Sequence, residues 1–270
     1  MRIILDTRFS ENKALIAIMI LGLILTVLGK MNLGGAVIIT AYWCFIKIFT
    51  WSERSSFRFQ ASPLIMMISI ALFAHKIPGF HNILFYDNVI ISPASAPYSA
   101  YINFDKPFLI LLLTYYYARN NSSTNIVKAS YQSLILGIIA AFMLLIPALI
   151  TGYLKFDPKI PSIIIGWSIL NLITVLAEEA FFRGFIQSAL NEVLSVDGSK
   201  YYQLLSLLIT SVLFGISHHA GGHIYMFLSF VAGVFYGYAM ILTKRIEASI
   251  LVHFTVNLVH ILLFTYPYAS

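Results

Sequence analysis

The chain has 270 residues, of which 59% are hydrophobic and 10% charged. That is too apolar for a soluble domain of ordinary composition and places it among multi-pass membrane proteins. The formal net charge of +6 does not point to nucleic acid, because the basic residues stand singly or in pairs at the ends of apolar runs, where they orient helices in a bilayer. One cysteine, Cys44, lies inside an apolar run, which excludes an internal disulfide and a cysteine-built zinc site.

Most apolar runs have the length a helix needs, and none shows the repeated ten-residue alternation of a transmembrane barrel. The fold class expected is therefore all-α, a polytopic transmembrane helical bundle. Arg2, Arg8 and Lys13 precede the first run without a small-residue cleavage site, which reads as a retained span. Ala14 to Gly29 and Leu33 to Phe49 predict a helical hairpin turning at Lys30 to Asn32, with Arg54 and Arg58 in the loop that follows. A third span is expected from Ser62 to Phe80. Asn82 to Lys106, with Pro93, Pro97, Asp87 and Asp105, reads as an external loop. Pro107 to Ala118 is apolar but short, and it either spans with help from neighbouring residues or lies at the interface. After a polar loop from Arg119 to Lys128 come Ala129 to Thr151, Ser162 to Leu190, Tyr202 to Ser217, Ile224 to Thr243 and Ala248 to Tyr266.

The total is about eight or nine spans. With the N-terminus inside, Lys30, Lys76, Lys106, Lys155 and Lys159 fall outside, and the rest of the 17 basic residues fall on or near the inside. This bias predicts N-in and C-out for nine spans. The division expected is residues 1–125 as N-terminal accessory helices and 126–270 as a functional bundle within the same membrane domain. Tyr115 to Tyr117 and Tyr201 to Tyr202 read as interfacial anchors. Gly233 and Gly237, four apart, read as a close helix-packing face.

Leu176 to Phe185 places Glu178, Glu179 and Arg183 inside a long apolar segment. An ionisable group at membrane depth costs about 2.5 to 3.5 kcal/mol, so such residues face the protein interior, pair with one another and mark function. In a helix Glu179 and Arg183 share a face, whereas Glu178 is rotated by about 100° and left over for proton chemistry. Two later helices add polar groups. Phe214 precedes His218 by one turn, and His253 and Asn257 are four apart on one face. A carboxylate and a histidine can deprotonate a water, and a second histidine with an amide can donate hydrogen bonds to a developing oxyanion.

The ordered set Glu178-Glu179-x-x-x-Arg183, Phe214-x-x-x-His218 and His253-x-x-x-Asn257, each on an apolar helix, resembles the three motifs of the CPBP family. These are the CAAX-protease and bacteriocin-processing intramembrane proteases, Abi-like and Rce1-like, and the resemblance covers about Ser162 to His260. It implies a glutamic-type endopeptidase with a catalytic cavity between the C-terminal helices. By position, Glu178 and His218 would activate the water and His253 and Asn257 would form the oxyanion hole. Glu179, Arg183 and Phe214 would support the site. The implied partners are a membrane-associated peptide or protein substrate and the lipid bilayer, with no nucleic acid and no cofactor, in a prokaryotic cell membrane. The predicted boundaries put His218 at the outer end of its span and His253 near the inner end of its own, so the two meet only through a kinked, tilted or interfacial helix.

Other readings use the same residues. His218, His219 and His223 form a histidine group that could bind a metal, giving a zinc-dependent membrane protease, although no His-Glu-x-x-His helix is present. Buried acids and histidines also build proton-coupled transporters, which usually carry inverted repeats that this sequence lacks. A family member that has lost proteolysis would serve as a scaffold or immunity protein, but here every catalytic-type position is filled.

Overall fold

The computed structural model describes residues 4–51, 55–118, 125–194 and 200–270. Arg2, Arg54 and Arg119 lie outside the described residues, as do the side chains of Arg8, Arg58 and Tyr115 to Tyr117. The chain divides into two compact units, Met1–Ile83 with Tyr101–Asn120, and Leu84–Ala100 with Asn121–Ser270.

The first unit contains helices α1 (Ile4–Val27), α2 (Leu33–Trp51), α3 (Ser55–Phe73) and α4 (Lys106–Ala118). Gly29 adopts a left-handed φ of 66° between α1 and α2, a conformation open to glycine without steric cost. α3 stops at Phe73 rather than at the expected Phe80. His75 there takes a φ of 56°, and its Nδ1 lies 2.8 Å from the Asp105 carboxylate. Asp105 also accepts the Lys106 N–H at 3.0 Å, so one buried acid caps α4 and ends the α3 excursion together.

The expected external loop contains a two-stranded sheet, β1 (Ile83–Val89) with β2 (Tyr98–Ile102). The fold is thus mostly helical, as expected, with one small sheet that the sequence reading did not anticipate. Burial alternates strictly along β2, the period-two pattern of a half-covered strand.

The second unit is a helical bundle. α5 (Ile126–Ile150) is capped by Asn125, whose side chain accepts the N–H groups of Val127 and Lys128. Small residues Ser133, Gly137, Ala140, Ala141 and Ala148 form much of its buried stripe. α6 (Ile164–Glu179) continues through a π-helical segment, Ala180–Gln187, into α7 (Ser188–Leu194). α8 (Lys200–Ser217), α9 (Gly222–Thr243) and α10 (Ile246–Leu263) follow. Short connections make neighbouring helices antiparallel.

Four stretches among the described residues are long and apolar enough to cross a membrane: Ile126–Ile150, Ile164–Leu194, His219–Thr243 and Ile246–Leu263. The apolar stretches Leu15–Val27, Leu33–Lys47 and Pro63–Phe73 are shorter, and α8 carries Gln203, Ser206, Thr210 and Ser211. Eight or nine full-length spans are therefore not reached among the described residues.

Beyond Leu263 the chain folds back across the end of the bundle. The Asp157 N–H donates to the Leu263 carbonyl at 2.8 Å, Thr265 N–H to Lys155 at 3.0 Å and Ala269 N–H to Tyr153 at 3.0 Å. The Tyr268 carbonyl accepts from Ala96 N–H at 3.0 Å. These backbone bonds hold Tyr266, Pro267 and Tyr268 in place.

Candidate active site

Adjacent positions on α6 send the two glutamates to different surroundings. Glu179 is fully buried, at 0% exposure. Its Oε1 accepts from Arg183 Nη1 at 3.1 Å and from His253 Nδ1 at 2.8 Å. Glu178, rotated around the helix, lines a cavity of about 250 Å³. Its Oε2 lies 3.8 Å from His253 Nε2. The imidazole therefore lies between the two carboxylates, bonded to one and facing the other.

Arg183 is also fully buried. Besides Glu179 it reaches the Gly233 carbonyl through Nη2 at 3.0 Å, and its guanidinium carbon lies 4.5 Å from the Phe214 ring centroid. Charge pairing, a carbonyl and an aromatic face together offset the loss of water around the cation. One helical turn on, Gln187 Nε2 donates to the Gly237 carbonyl at 3.2 Å. Two side chains four apart thus meet two glycines four apart. A Cβ at Gly233 would stand 3.1 Å from Ser211 Cα and 3.4 Å from Arg183 Nη2, so glycine there allows the close approach of α8 and of the arginine.

His218 follows the last residue of α8. Its Nδ1 lies 2.7 Å from the Phe214 carbonyl, and only a protonated Nδ1 can donate to that oxygen. In the neutral ring Nε2 is then an acceptor. The same reasoning applied to His253, whose Nδ1 donates to Glu179, makes its Nε2 a donor only in the imidazolium form. Phe214 joins the two histidines: its ring centroid is 4.6 Å from that of His218 and 5.8 Å from that of His253. Tyr236 stacks on His253 with centroids 4.2 Å apart and planes 15° apart.

Asn257 lies one turn beyond His253 on α10, and its Nδ2 donates to Asn171 Oδ1 at 3.3 Å. Glu178, His218, His253 and Asn257 all line the one cavity, although the predicted boundaries had set the two histidines toward opposite ends of their helices. The remaining lining includes Asn171, Thr174, Tyr153, Tyr225, His260 and Tyr266, none of which the sequence reading singled out. The signal for three of them was available. Asn171 and Thr174 precede Glu178 at i−7 and i−4, and His260 follows His253 at i+7, all on cavity-facing helix faces. His219 and His223 are exposed and do not line the cavity. Among the described residues, no three His, Cys, Asp or Glu side chains form a group that could hold a metal ion.

Carboxylate, imidazoles and carboxamides gathered in a cavity of an apolar helical bundle can take a proton from a water and donate hydrogen bonds to an anion. Residues 160–259 of the 270 match the family model described as type II CAAX prenyl endopeptidase Rce1-like. No curated protein and no solved structure matches the chain.

Proposed function

We propose that the protein is a glutamic-type intramembrane endopeptidase acting on membrane-associated peptides or proteins, with its catalytic cavity between α6, α8, α9 and α10 of a polytopic bundle. The observation that carries this reading is the convergence of Glu178, His218, His253 and Asn257 on one cavity of about 250 Å³. Glu178 takes a proton from a water that also donates to His218 Nε2, and the hydroxide attacks the scissile carbonyl carbon. The carbonyl oxygen becomes an oxyanion, bonded by the Asn257 amide and by Nε2–H of protonated His253. Collapse of the tetrahedral species breaks the carbon–nitrogen bond, and the proton held by Glu178 passes to the leaving amine. Glu179 holds His253 Nδ1 throughout, with Arg183 balancing its charge.

The test is Glu178→Gln, purified in detergent and assayed with a fluorogenic prenylated CAAX peptide and a panel of membrane-anchored peptides, with products read by mass spectrometry. Cleavage should disappear while thermal unfolding stays close to wild type. Near-wild-type turnover by the variant would remove Glu178 from the role of general base.

A further inference from the structure

The cavity is bounded by two polar stripes. Asn171, Thr174 and Glu178 fall at i, i+3 and i+7 on α6, and His253, Asn257 and His260 fall at i, i+4 and i+7 on α10. The helices run in opposite directions, so that Asn171 meets Asn257 where Glu179 meets His253. The mechanism above assigns no task to Asn171. Thr174 directs its hydroxyl to the Leu170 carbonyl of its own helix at 3.0 Å. His260 Nε2 lies 3.1 Å from the Thr265 carbonyl. Asn171 instead reaches across to α10.

The chemistry of a carboxamide gives that contact a consequence. The two ends of an asparagine side chain are alike in shape and opposite in polarity. If Asn257 turned by 180° about its last torsion, it would present oxygen where the reaction needs N–H, and an acceptor there would repel a developing oxyanion. Asn171 Oδ1 accepts only from the nitrogen end of Asn257. Asn171 is a carboxamide too, so the bond ties the two side chains together: Asn257 presents its nitrogen for as long as Asn171 presents its oxygen. We infer that Asn171 is a positioning residue that holds the Asn257 carboxamide in this paired arrangement for the peptidase reaction proposed above, the reading on which this inference rests.

The experiment uses the full chain in detergent micelles. Asn171→Leu keeps the volume and removes the acceptor, and Asn171→Ala serves in parallel in case the leucine variant fails to fold. Both should lower kcat on the cleaved peptide about tenfold, the worth of one net hydrogen bond, with KM within about twofold of wild type because orientation matters as charge develops. In an Asn257→Ala background the same substitutions should change nothing further. A second readout does not require turnover. In protein labelled with 15N-asparagine, the Nδ2 signals of Asn257, assigned through Asn257→Ala, should shift in both Asn171 variants. Wild-type kcat in the Asn171 variants, additional loss in the Asn257→Ala background, or unmoved Asn257 signals would each overturn the positioning role. Absence of peptide cleavage by the wild type would instead overturn the peptidase reading, and the labelled amide would still decide whether Asn171 holds Asn257.

Discussion

Replacing Glu179 by Gln removes one buried negative charge with almost no change in shape. One oxygen, Oε1, accepts both the 3.1 Å bond from Arg183 and the 2.8 Å bond from His253, and both partners are buried. A hydrogen bond to a charged group contributes about 1.5 to 3 kcal/mol against about 0.5 to 1.5 for a neutral one, so each contact loses about 1 kcal/mol. Arg183 keeps the Gly233 carbonyl and the Phe214 ring, which limits the total to about 2 to 3 kcal/mol. For a chain of this size that is a fall in Tm of about 5 to 10 °C, read by intrinsic fluorescence in detergent. Adding Arg183→Met should recover part of the loss, since the cation left without its counter-charge is then gone. Turnover should drop at least about tenfold, because His253 loses the carboxylate that anchors its Nδ1. An unchanged Tm in Glu179→Gln, or a double variant no more stable than the single one, would refute the idea that this acid holds the arginine and the histidine together.

Gly215→Ala would bring a Cβ to 2.9 Å from the Met226 carbonyl oxygen and 2.9 Å from Phe230 Cβ. Neither is the free end of a flexible side chain, so a loss of about 1 to 3 kcal/mol is expected in thermal or denaturant unfolding. Asn257→Ala should lower turnover by about 10² to 10³ with little change in substrate affinity, while wild-type activity survives exhaustive chelation. Loss of activity on chelation, restored by zinc, would favour a metal mechanism. Asp157 lies outside the spans, and hydrogen bonding from Ser92, with help from Lys159, holds its carboxyl below the usual range. Its folded-state affinity for protons is thus weaker than the unfolded one, and its contribution is present above the ordinary carboxylate range and fades as pH falls below about 4. Melting curves of Asp157→Asn and wild type should therefore differ at neutral pH and converge in acid.

What the sequence disclosed and what it concealed follow from the range of the forces involved. Helical phase is local, so the different orientations of Glu178 and Glu179 were readable from a step of about 100° per residue. The pairing of Glu179 with Arg183 was readable from the same spacing. The bond from Glu179 to His253 links residues 74 apart in the chain, and no local pattern announces it. The small sheet escaped because Asn82 to Lys106 is rich in proline and serine, and its strands depend on pairing with each other rather than on local propensity. Span lengths misled at α3, which stops at Phe73 because His75, Lys76, Pro78 and Gly79 interrupt the apolar run and His75 turns the chain toward Asp105. Asn171 was overlooked because a single asparagine in an apolar helix attracts no attention until the partner facing it is known.

The position of His253 between two carboxylates has a consequence for proton counting. Glu178, Glu179 and Arg183 are buried together with it, and their formal charges sum to zero only when the group holds one further proton, on the imidazole or on Glu178. In surroundings that strongly penalise a net charge, the four side chains form one electrostatic unit, so that a change in the charge of any one of them is felt by the other three.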